Sequence, residues 1–225
     1  MNILGIIPAR EKSKSIKNKN IIDLGGKPLI SWTIEAALKS KLDKVIVSTD
    51  SRDISDISKE YGAEVPFIRP KKLATSNSHT IDVIIHSLEN VDYKPTAIML
   101  LQPTSPFRNT NHINESIKIF KRNATNSCIS LCKVEFPPEW SISLGKKEIN
   151  FPFWNKIESP FDLERQQLPI YYKPNGAIYI SRVNYISIIK NLIDVSNCCY
   201  YIMDNKSSLD IDTEIDYQIA KEMIK

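Results

Sequence analysis

Three short apolar runs, at residues 3–7, 45–47 and 97–101, constrain the fold of this chain more than any other feature. Continuous apolar runs of this length are typical of strands that are buried on both faces of a parallel sheet. The segments between them carry apolar residues at helical spacing, which predicts helices near 30–38, 53–61 and 81–88. Strands that alternate with helices in this way predict an α/β fold with a Rossmann-like, mostly parallel sheet flanked by helices.

The second half of the chain continues this alternation with one interruption. Apolar spacing predicts a helix around Ile113, strands at 128–134, 176–181 and 199–203, and a last helix with Ile215, Ile219 and Met223 four residues apart. Residues 135–174 instead hold many prolines and aromatic residues without a helical period. We interpret them as a hairpin-rich excursion that leaves the main sheet and serves subunit contact. The sequence therefore predicts one domain over residues 1–225 with an inserted dimerisation excursion at 135–174.

A cluster of positive charge follows the first apolar run. Residues 10–19 contain five basic residues and one acidic residue, so this stretch alone accounts for the net charge of +4. Nucleic-acid-binding proteins usually spread their basic residues over a face, whereas one short cationic loop suits a compact anion such as a triphosphate. The sequence also shows no apolar run long enough to span a membrane and no signal-peptide pattern. We therefore expect a cytoplasmic protein that binds neither nucleic acid nor membranes.

The cationic loop is placed where a ligand is expected, because ligands of open α/β sheets bind beyond the carboxyl ends of the strands. Its Arg10, Ser13, Lys14 and Lys19 side chains can surround a triphosphate with charge-assisted hydrogen bonds. The sequence contains neither the glycine pattern of dinucleotide-binding proteins nor that of P-loop proteins. This removes the usual support for a nicotinamide dehydrogenase or a P-loop kinase. A solvated charged loop is the alternative interpretation.

Two carboxylates near residue 211 form a candidate metal site. Asp210 and Asp212 alternate with Ile211, so in an extended segment both acidic side chains point the same way and can face one cation. Magnesium commonly takes one or two protein carboxylates and completes its shell with phosphates and water. The alternative is that Asp212 caps the helix that begins near Thr213, an explanation that does not extend to Asp210.

Two further residues are candidates for contact with an organic ligand. Gln102 follows the third apolar run in a stiff loop with two prolines, and its amide can present both a hydrogen-bond donor and an acceptor. Arg165 lies in the excursion and could bind a carboxylate in bidentate fashion, although an arginine in a loop is often simply solvated. Each of these is a weak signal when taken alone.

Together these residues match a known family. The shared segments, in chain order, are IPAR at 7–10, SK at 13–14, KNI at 19–21, GGKPL at 25–29, VSTD at 47–50, RP at 69–70, LQPTSP at 101–106, PNGAIY at 174–179 and DID at 210–212. With these segments, the sequence resembles the acylneuraminate cytidylyltransferases, the CMP-sialic acid synthetases. The resemblance implies a fold of the nucleotide-diphospho-sugar transferase type and a homodimer that uses CTP and Mg²⁺. It also implies that the excursion contacts the partner subunit and reaches toward its site.

The resemblance further implies a reaction and assigns roles in it. The anomeric hydroxyl of a nonulosonic (sialic-type) acid would attack the α-phosphorus of CTP and release pyrophosphate. The implied contacts are Arg10, Ser13 and Lys19 for phosphates, Asn20, Arg69 and Thr80 for cytidine, Gln102 and Arg165 for the sugar, and Asp210 and Asp212 for the metal. Lys14 is expected among the nucleotide contacts, and catalysis is expected to depend on Arg10, Lys19, Asp210 and Asp212. The base stays open between Asp210 and a metal-bound hydroxide.

The cationic loop departs from the family pattern. Many members carry glycines where this chain has Glu11, Lys12 and Ser15. Glycine lets backbone amides approach a phosphate at positive φ, and Glu11 adds a negative charge nearby. We expect activity to be retained with Glu11 turned outward. The alternative is a nucleotide-binding homologue with weakened or lost catalysis, against which the retained Asp210 and Asp212 argue.

Trp140 bears on which sugar is activated. Synthetases for N-acetylneuraminic acid tend to carry a basic residue near this position, whereas an indole packs well on a methyl or acetamido group. The hypothesis is that Trp140 contacts a 9-deoxy, diacylated sugar such as legionaminic acid, with N-acetylneuraminic acid as the other candidate. A Kdo cytidylyltransferase is an alternative, but its corresponding loop is acidic where this chain has Gln102. A glycosyltransferase would usually carry Asp-x-Asp at mid-chain.

Overall fold

The computed structural model describes residues 1–13, 15–145, 149–150, 152–153 and 164–225. Six strands form the main sheet, and two very short strands form a separate antiparallel pair. The strands are β1 Ile3–Pro8, β2 Lys44–Ser48, β3 Ala97–Leu100, β4 Ser127–Lys133, β5 Ser143–Leu144, β6 Ile149–Asn150, β7 Tyr172–Arg182 and β8 Cys198–Ile202. The α-helices are α1 Leu29–Leu38, α2 Arg52–Glu60, α3 Thr80–Asn90, α4 Thr110–Asn123, α5 Val183–Ile189 and α6 Glu214–Ile224. Among these described residues, no helix has the length and apolar character that crossing a membrane requires.

The main sheet has the strand order β2-β1-β3-β7-β4-β8, and five of its six strands run in the same direction. The exception is β7, which pairs antiparallel with both β3 and β4. The chain leaves β4 at the carboxyl edge of the sheet and returns from that same edge after the excursion, so β7 has to run the opposite way. The predicted α/β fold with a mostly parallel sheet is confirmed.

Apolar residues cover both faces of the sheet, as the continuous runs predict. Ile3 and Ile7 of β1 pack into a core with α1, α2 and α4, whereas Leu4 and Ile6 pack into a second core with α3 and α5. All four side chains are fully buried. Burying an aliphatic side chain of this size contributes roughly 1.5–3 kcal/mol. Burial on both faces therefore fixes the central strands, and it holds the loops at their carboxyl ends in constant positions.

The structure differs from the sequence-based expectation in three places. The strand β7 begins at Tyr172 rather than at residue 176, so the last residues of the predicted excursion pair with β4. The helix α5 is too short, at seven residues, for a helical period to stand out, and the sequence does not predict it. In α6 the apolar stripe faces outward, because Ile215 and Ile219 are 72% and 45% exposed and the small Ala220 is the buried residue.

The described part of the excursion is irregular, as expected from its composition. It contains the β5–β6 pair and two 3₁₀ turns, at Pro138–Trp140 and Arg165–Gln167. Its apolar side chains include Phe136 and Leu144, which are 69% and 79% exposed in one chain. Residues 154–163 of the excursion lie outside the described residues, so the boundaries predicted for it stay a prediction.

Candidate active site

The carboxyl edge of the sheet gathers the loops of several neighbouring strands. The strands β1, β2 and β3 end there, and β7 begins at the same edge. This is the edge at which open α/β sheets bind their ligands. Two cavities open here, and both have Gln102 and Asp212 in their walls. We call them the cationic cavity and the acidic cavity.

The cationic cavity has a volume of about 340 Å³ and lies beside the loop that follows β1. Most of the nucleotide contacts predicted from the sequence line it: Arg10, Ser13, Lys19, Asn20, Arg69 and Thr80. Lys14, the remaining predicted contact, lies outside the described residues. Three cationic side chains and several hydroxyl and amide groups in one cavity provide the donors that a polyphosphate needs.

Backbone contacts of the same chain hold the start of the cationic loop in place. Arg10 Nη1 donates a hydrogen bond to the carbonyl oxygen of Thr75 at 2.9 Å. The buried amide of Asn20 donates to the carbonyl oxygen of Arg10 at 2.8 Å. Asn20 therefore lines the cavity and also holds the backbone of Arg10, whose guanidinium lies in the same cavity.

Asp50, two residues beyond the end of β2, organises the same loop from the neighbouring strand. Its Oδ1 accepts a hydrogen bond from the Glu11 amide at 2.9 Å and lies 3.9 Å from Arg69 Nη2. Burial lowers the pKa of Arg69, and the negative charge of Asp50 opposes that shift. The place of Asp50 in a polar segment after a buried strand marks this edge of the sheet, but the sequence alone gives the residue no individual role.

The residues that replace glycines do not strain the backbone of the cationic loop. Glu11, Lys12 and Ser15 are exposed, so Glu11 is turned outward as expected. Within the described part of this loop, the residue with a positive φ is Asn18, at 53°. The amide of Glu11 is engaged by Asp50 and helps to shape the loop. The loop therefore borders the cationic cavity without the glycines that many family members carry.

Lys19 connects the cationic loop with the segment before α6. Its Nζ donates hydrogen bonds to Asp212 Oδ1 and to the carbonyl oxygen of Ile211, both at 2.9 Å. The Lys19 side chain is 12% exposed, whereas that of Asp212 is 70% exposed. The ammonium group therefore lies at the boundary of the two cavities, paired with one of the predicted metal ligands.

The acidic cavity is larger, at about 670 Å³, and lies on the side of β4 and β7. Its carboxylates come from four residues: Glu135, Asp210, Asp212 and Asp216. Lys133 of β4 and Lys173 of β7 also line it, together with Tyr179. These three residues are not predicted as site residues, because lysines and a tyrosine at strand positions carry no distinguishing sequence pattern.

Asp210 and Asp212 both face the acidic cavity, as their alternation predicts. Ile211 between them is fully buried, and its amide donates to the carbonyl oxygen of Thr104 at 2.8 Å. Asp210 Oδ1 is buried and has no hydrogen-bond partner among the described residues, and burial raises the pKa of this carboxyl group. A buried carboxylate oxygen without a partner is unfavourable unless a cation satisfies it. The donor set therefore fits Mg²⁺, which prefers oxygen ligands.

Asp212 is not the N-cap of the last helix, which is the alternative role predicted for this residue. The cap of α6 is Thr213, whose side chain accepts a hydrogen bond from the Asp216 amide. The Asp216 carboxylate in turn accepts from the Thr213 amide at 2.7 Å and from the Asp212 amide at 3.1 Å. Capping therefore leaves the Asp212 carboxylate available for Lys19 or a cation.

Gly176 leaves an open space between Gln102 and Asp210. Its φ is +77°, a left-handed conformation that residues with side chains rarely adopt. A Cβ atom at this position would lie 3.5 Å from Gln102 Oε1 and 3.6 Å from Asp210 Oδ2. The amide predicted to contact the sugar and the carboxylate predicted to bind the metal therefore border the same small space.

Trp140 and Arg165, the other predicted sugar contacts, lie apart from this space within one chain. Arg165 lines a separate cavity of about 210 Å³ together with Lys133 and Tyr171. Trp140 ends the 3₁₀ turn in the excursion. Among the residues that the structure describes, neither one lines the cationic or the acidic cavity. Lys133 also lines the acidic cavity, so the Arg165 cavity borders it, but Arg165 itself is not in the wall that contains Asp210.

Comparisons with known proteins show the family to which the chain is related. A family model described as cytidylyltransferase matches residues 4–147, more than half of the chain. The chain is 38% identical to the N-acylneuraminate cytidylyltransferase of Escherichia coli O18:K1:H7, with 97% of this chain covered but only 51% of that longer protein. It is 34% identical to the CMP-N,N'-diacetyllegionaminic acid synthase of Legionella pneumophila, with 100% of this chain and 97% of that protein covered.

A solved structure supports the fold independently of the sequence. The CMP:2-keto-3-deoxy-manno-octonic acid synthetase complexed with CTP superimposes with a TM-score of 0.75 over 100% of this chain and 98% of its own. At 15% identity this likeness shows the fold alone. The family model and the full-length relative confirm the resemblance carried by the motifs. The chain belongs to the acylneuraminate cytidylyltransferase group of the cytidylyltransferase family.

Proposed function

We propose that this enzyme transfers CMP from CTP to the anomeric hydroxyl of a nonulosonic acid and releases pyrophosphate. The observation that carries the proposal is the meeting of two cavities of different charge at Gln102 and Asp212. Both volumes fall in the range of small-molecule sites. The names of the relatives, for N-acylneuraminate and for diacetyllegionaminic acid, support this class of sugar. Because CTP is the substrate, we propose that the reaction takes place in the cytoplasm.

In this proposal the cationic cavity holds CTP with its triphosphate next to Lys19. Arg10 and Lys19 supply fixed positive charge where negative charge builds up on the leaving pyrophosphate. Phosphate oxygens would replace the Asp212 carboxylate as the partner of Lys19, because a triphosphate carries more charge than one exposed carboxylate. The remaining predicted contacts line the rest of the cavity and would bind the nucleotide there: Ser13, Asn20, Arg69 and Thr80.

The reaction depends on positioning more than on covalent chemistry. The anomeric oxygen would attack the α-phosphorus in line, and the bond from that phosphorus to the bridging oxygen would break, so that pyrophosphate leaves with the electron pair. Gln102 lies between the two cavities, where its amide can orient the anomeric end of the sugar. Asp210 Oδ2 borders the space beside Gly176, and we propose that it accepts the hydroxyl proton.

Asp210 and Asp212 are proposed to hold Mg²⁺. The buried Oδ1 of Asp210, which lacks a partner among the described residues, supports this assignment. When bound there, Mg²⁺ would neutralise charge on the phosphates. Asp216 would act behind these ligands, because its acceptance of the Asp212 amide holds the segment in its extended form.

The second subunit of a homodimer is proposed to complete the sugar side of the site. The excursion exposes Phe136 and Leu144, and burying such side chains against a partner is favourable. That contact would bring Arg165 to a sugar carboxylate and Trp140 to an acyl or methyl group of the neighbouring site. An indole at this place favours a 9-deoxy, diacylated sugar such as legionaminic acid over N-acetylneuraminic acid.

The test is pyrophosphate release from CTP and Mg²⁺ with N-acetylneuraminic acid, legionaminic acid, pseudaminic acid and Kdo as separate acceptors. We expect release with a nonulosonic acid, fastest with legionaminic acid. Asp212→Ala, verified as folded by circular dichroism, should lose most of this release. No release with any sugar from protein that binds CTP would contradict the activity, and release with Kdo alone would contradict the sugar class. A preference for N-acetylneuraminic acid would contradict the role proposed for Trp140.

A further inference from the structure

Arg108, at the end of the loop between β3 and α4, is the largest fully buried side chain in the described structure, with 1% exposure. Arginine is almost never fully buried unless a partner compensates its charge. Arg108 takes part in none of the ion pairs found among the described residues. Burial lowers its pKa to about 9, so the guanidinium stays protonated at neutral pH, and the charge of Asp210 opposes this shift. A buried cation without a paired carboxylate calls for an explanation.

The hydrogen bonds of Arg108 connect three elements of the fold. Its Nη1 donates to the carbonyl oxygen of Gln102 at 3.1 Å and to that of Ala177 at 3.0 Å. Its Nη2 donates to Thr33 Oγ1, in α1, at 2.6 Å. Thr33 Oγ1 itself donates to the Gln102 carbonyl at 3.4 Å. One planar group thus joins α1, the loop after β3 and the strand β7.

The two carbonyl groups that Arg108 holds belong to the two walls of the space beside Gly176. One carbonyl is that of Gln102, whose side-chain oxygen borders this space, and the other is that of Ala177, which follows Gly176 directly. A shift of the Gln102 segment would move Gln102 Oε1, and a shift of the Ala177 segment would move Gly176, which faces both Gln102 Oε1 and Asp210 Oδ2. Arg108 therefore sets how the Gln102 loop and β7 lie relative to each other, although its own side chain lines neither the cationic nor the acidic cavity.

We propose that Arg108 is a positioning residue of the active site, which clamps the Gln102 loop to β7 and so fixes the place where the anomeric end of the sugar is held. The inference rests on the proposed function, because it concerns the sugar side of that same reaction. Arginine suits the task because its rigid fork carries several donors in one plane. A lysine has one ammonium group on a flexible stem and cannot hold the same three acceptors in that geometry.

The test compares Arg108→Lys with Arg182→Lys. Arg182 lies at the opposite end of β7, where its Nε donates to the carbonyl oxygen of Thr125 at 2.8 Å, far from both cavities in the strand register. For each protein the melting temperature, the Kd for CTP, and the kcat and KM for the sugar are measured. Arg108→Lys should lower kcat/KM for the sugar by roughly tenfold to a hundredfold, because small displacements of reacting groups have effects of this size. Its Kd for CTP should stay close to wild type.

The control variant should lose stability without changing kcat/KM for the sugar. A loss of CTP affinity and sugar kinetics in equal proportion in Arg108→Lys would overturn the inference, because a merely structural arginine would affect both sides of the site. Unchanged sugar kinetics in folded Arg108→Lys would also overturn it. If Arg108→Lys does not fold, Thr33→Val decides, since it removes one acceptor of the clamp: a selective decrease in sugar kcat/KM supports the inference and an unchanged value overturns it. Wild-type enzyme that releases no pyrophosphate with any sugar would instead contradict the proposed function.

Discussion

The cationic cavity and the excursion after β4 differ in how far a single chain completes them. In the cationic cavity, Arg10 donates to a backbone carbonyl, Asn20 holds the carbonyl of Arg10, and Lys19 is paired at 2.9 Å. The excursion instead exposes apolar side chains, and its Arg165 lines a cavity separate from that of Asp210. The part of the site expected to bind nucleotide is therefore arranged in advance, whereas the part expected to select the sugar is not.

This difference has a consequence for how such an enzyme can change its substrate. The cationic loop is tied to β2 through Asp50 and to the segment before α6 through Lys19, so changes there disturb several elements at once. The described part of the excursion is irregular and exposes several of its side chains, and segments of this kind tolerate substitutions better. We expect sugar selectivity to vary through the excursion while the nucleotide side stays the same. The following predictions test that separation, in order of decreasing effect.

The largest effect is expected from Asp210→Asn, in the acidic cavity. The substitution keeps the shape of the side chain but removes the charge that a cation would neutralise and the proposed proton acceptor. We expect pyrophosphate release to fall by roughly a thousandfold, as when a charge-stabilising group of an active site is removed. The measurement is steady-state release with the preferred sugar, with Glu222→Gln on the exposed end of α6 as a charge-matched control that keeps full activity. Retention of more than a tenth of the rate would show that Asp210 is dispensable.

The next effect is expected from Gly176→Ala, which tests the sugar side alone. The new methyl group would occupy the space between Gln102 and Asp210, and the φ of +77° would be strained as well. We expect kcat/KM for the sugar to fall by roughly a hundredfold, with a much smaller change in the Kd for CTP.

The control for this prediction is Gly62→Ala, just beyond the C-terminus of α2. Gly62 also has a positive φ, of +87°, but it lies away from both cavities. Both substitutions should lower the melting temperature through the same backbone strain, yet only Gly176→Ala should change the sugar kinetics. Equal kinetic losses in the two variants would mean that strain, rather than the blocked space, causes the effect.

The sequence predicts the nucleotide side of the site better than the sugar side, for a physical reason. Strands that are buried on both faces appear in the sequence as continuous apolar runs, and parallel strands bring the loops that follow them to one edge of the sheet. Arg10 and Lys19 therefore line a cavity at this edge, whereas the places of Asn20 and Arg69 in it are expected only from the resemblance to the family. The same logic predicts Asp210 and Asp212, because alternation in an extended segment needs no knowledge of the tertiary fold.

Residues that act from beneath the site could not be predicted in this way. Arg108 lies in a loop, and an arginine in a loop is usually expected to be solvated. Its burial results only from how that loop packs on α1 and β7. The place of Asp50 after a buried strand indicates the edge at which it lies, but its hydrogen bond with the Glu11 amide is a backbone contact that no side-chain pattern predicts. The exposure of Ile215 in α6 is similarly unpredicted, because the face of this helix that packs on the fold carries Ala220, Tyr217 and Ile224.

A complementation experiment tests whether the excursion serves the neighbouring subunit. Arg165→Ala should reduce kcat/KM for the sugar by roughly tenfold to a hundredfold, through loss of a bidentate carboxylate contact. Mixing this variant with Asp210→Asn, after denaturation and refolding together, should restore activity to roughly a quarter of wild type. Half of the dimers would then be mixed, and each would contain one intact site.

The outcome separates two arrangements of the dimer. If the excursion acts on the partner's site, the Arg165→Ala subunit keeps its own Asp210 and receives an intact arginine from the other chain. If the excursion acts on its own chain, a mixed dimer contains no intact site, and mixing restores nothing beyond the average of the two variants. Refolded wild type serves as the reference for recovery, and size-exclusion chromatography of each mixture checks that dimers form.

The smallest effect is expected on cation binding, from Lys19→Gln, and this substitution should change the affinities for the cation and for CTP in opposite directions. In the structure Lys19 is paired with Asp212, so a divalent cation at Asp210 and Asp212 has to compete with the ammonium group. The Asp212 side chain is 70% exposed, and ion pairs at such positions are worth about 0.2–1 kcal/mol. Removing the ammonium should therefore strengthen Mn²⁺ binding without CTP by only about twofold to fivefold, measured by electron paramagnetic resonance.

The same substitution should weaken CTP binding, because a phosphate contact is lost. Lys17→Gln, in the same loop and exposed, changes the net charge equally and should alter neither affinity by more than a small factor. Weaker Mn²⁺ binding in Lys19→Gln would mean that Lys19 supports the cation site rather than competing for it. Stronger Mn²⁺ binding together with weaker CTP binding would mean that Lys19 disfavours the cation until CTP binds and so couples the binding of the two ligands. That coupling would then lie in the cationic cavity, the part of the site that a single chain completes.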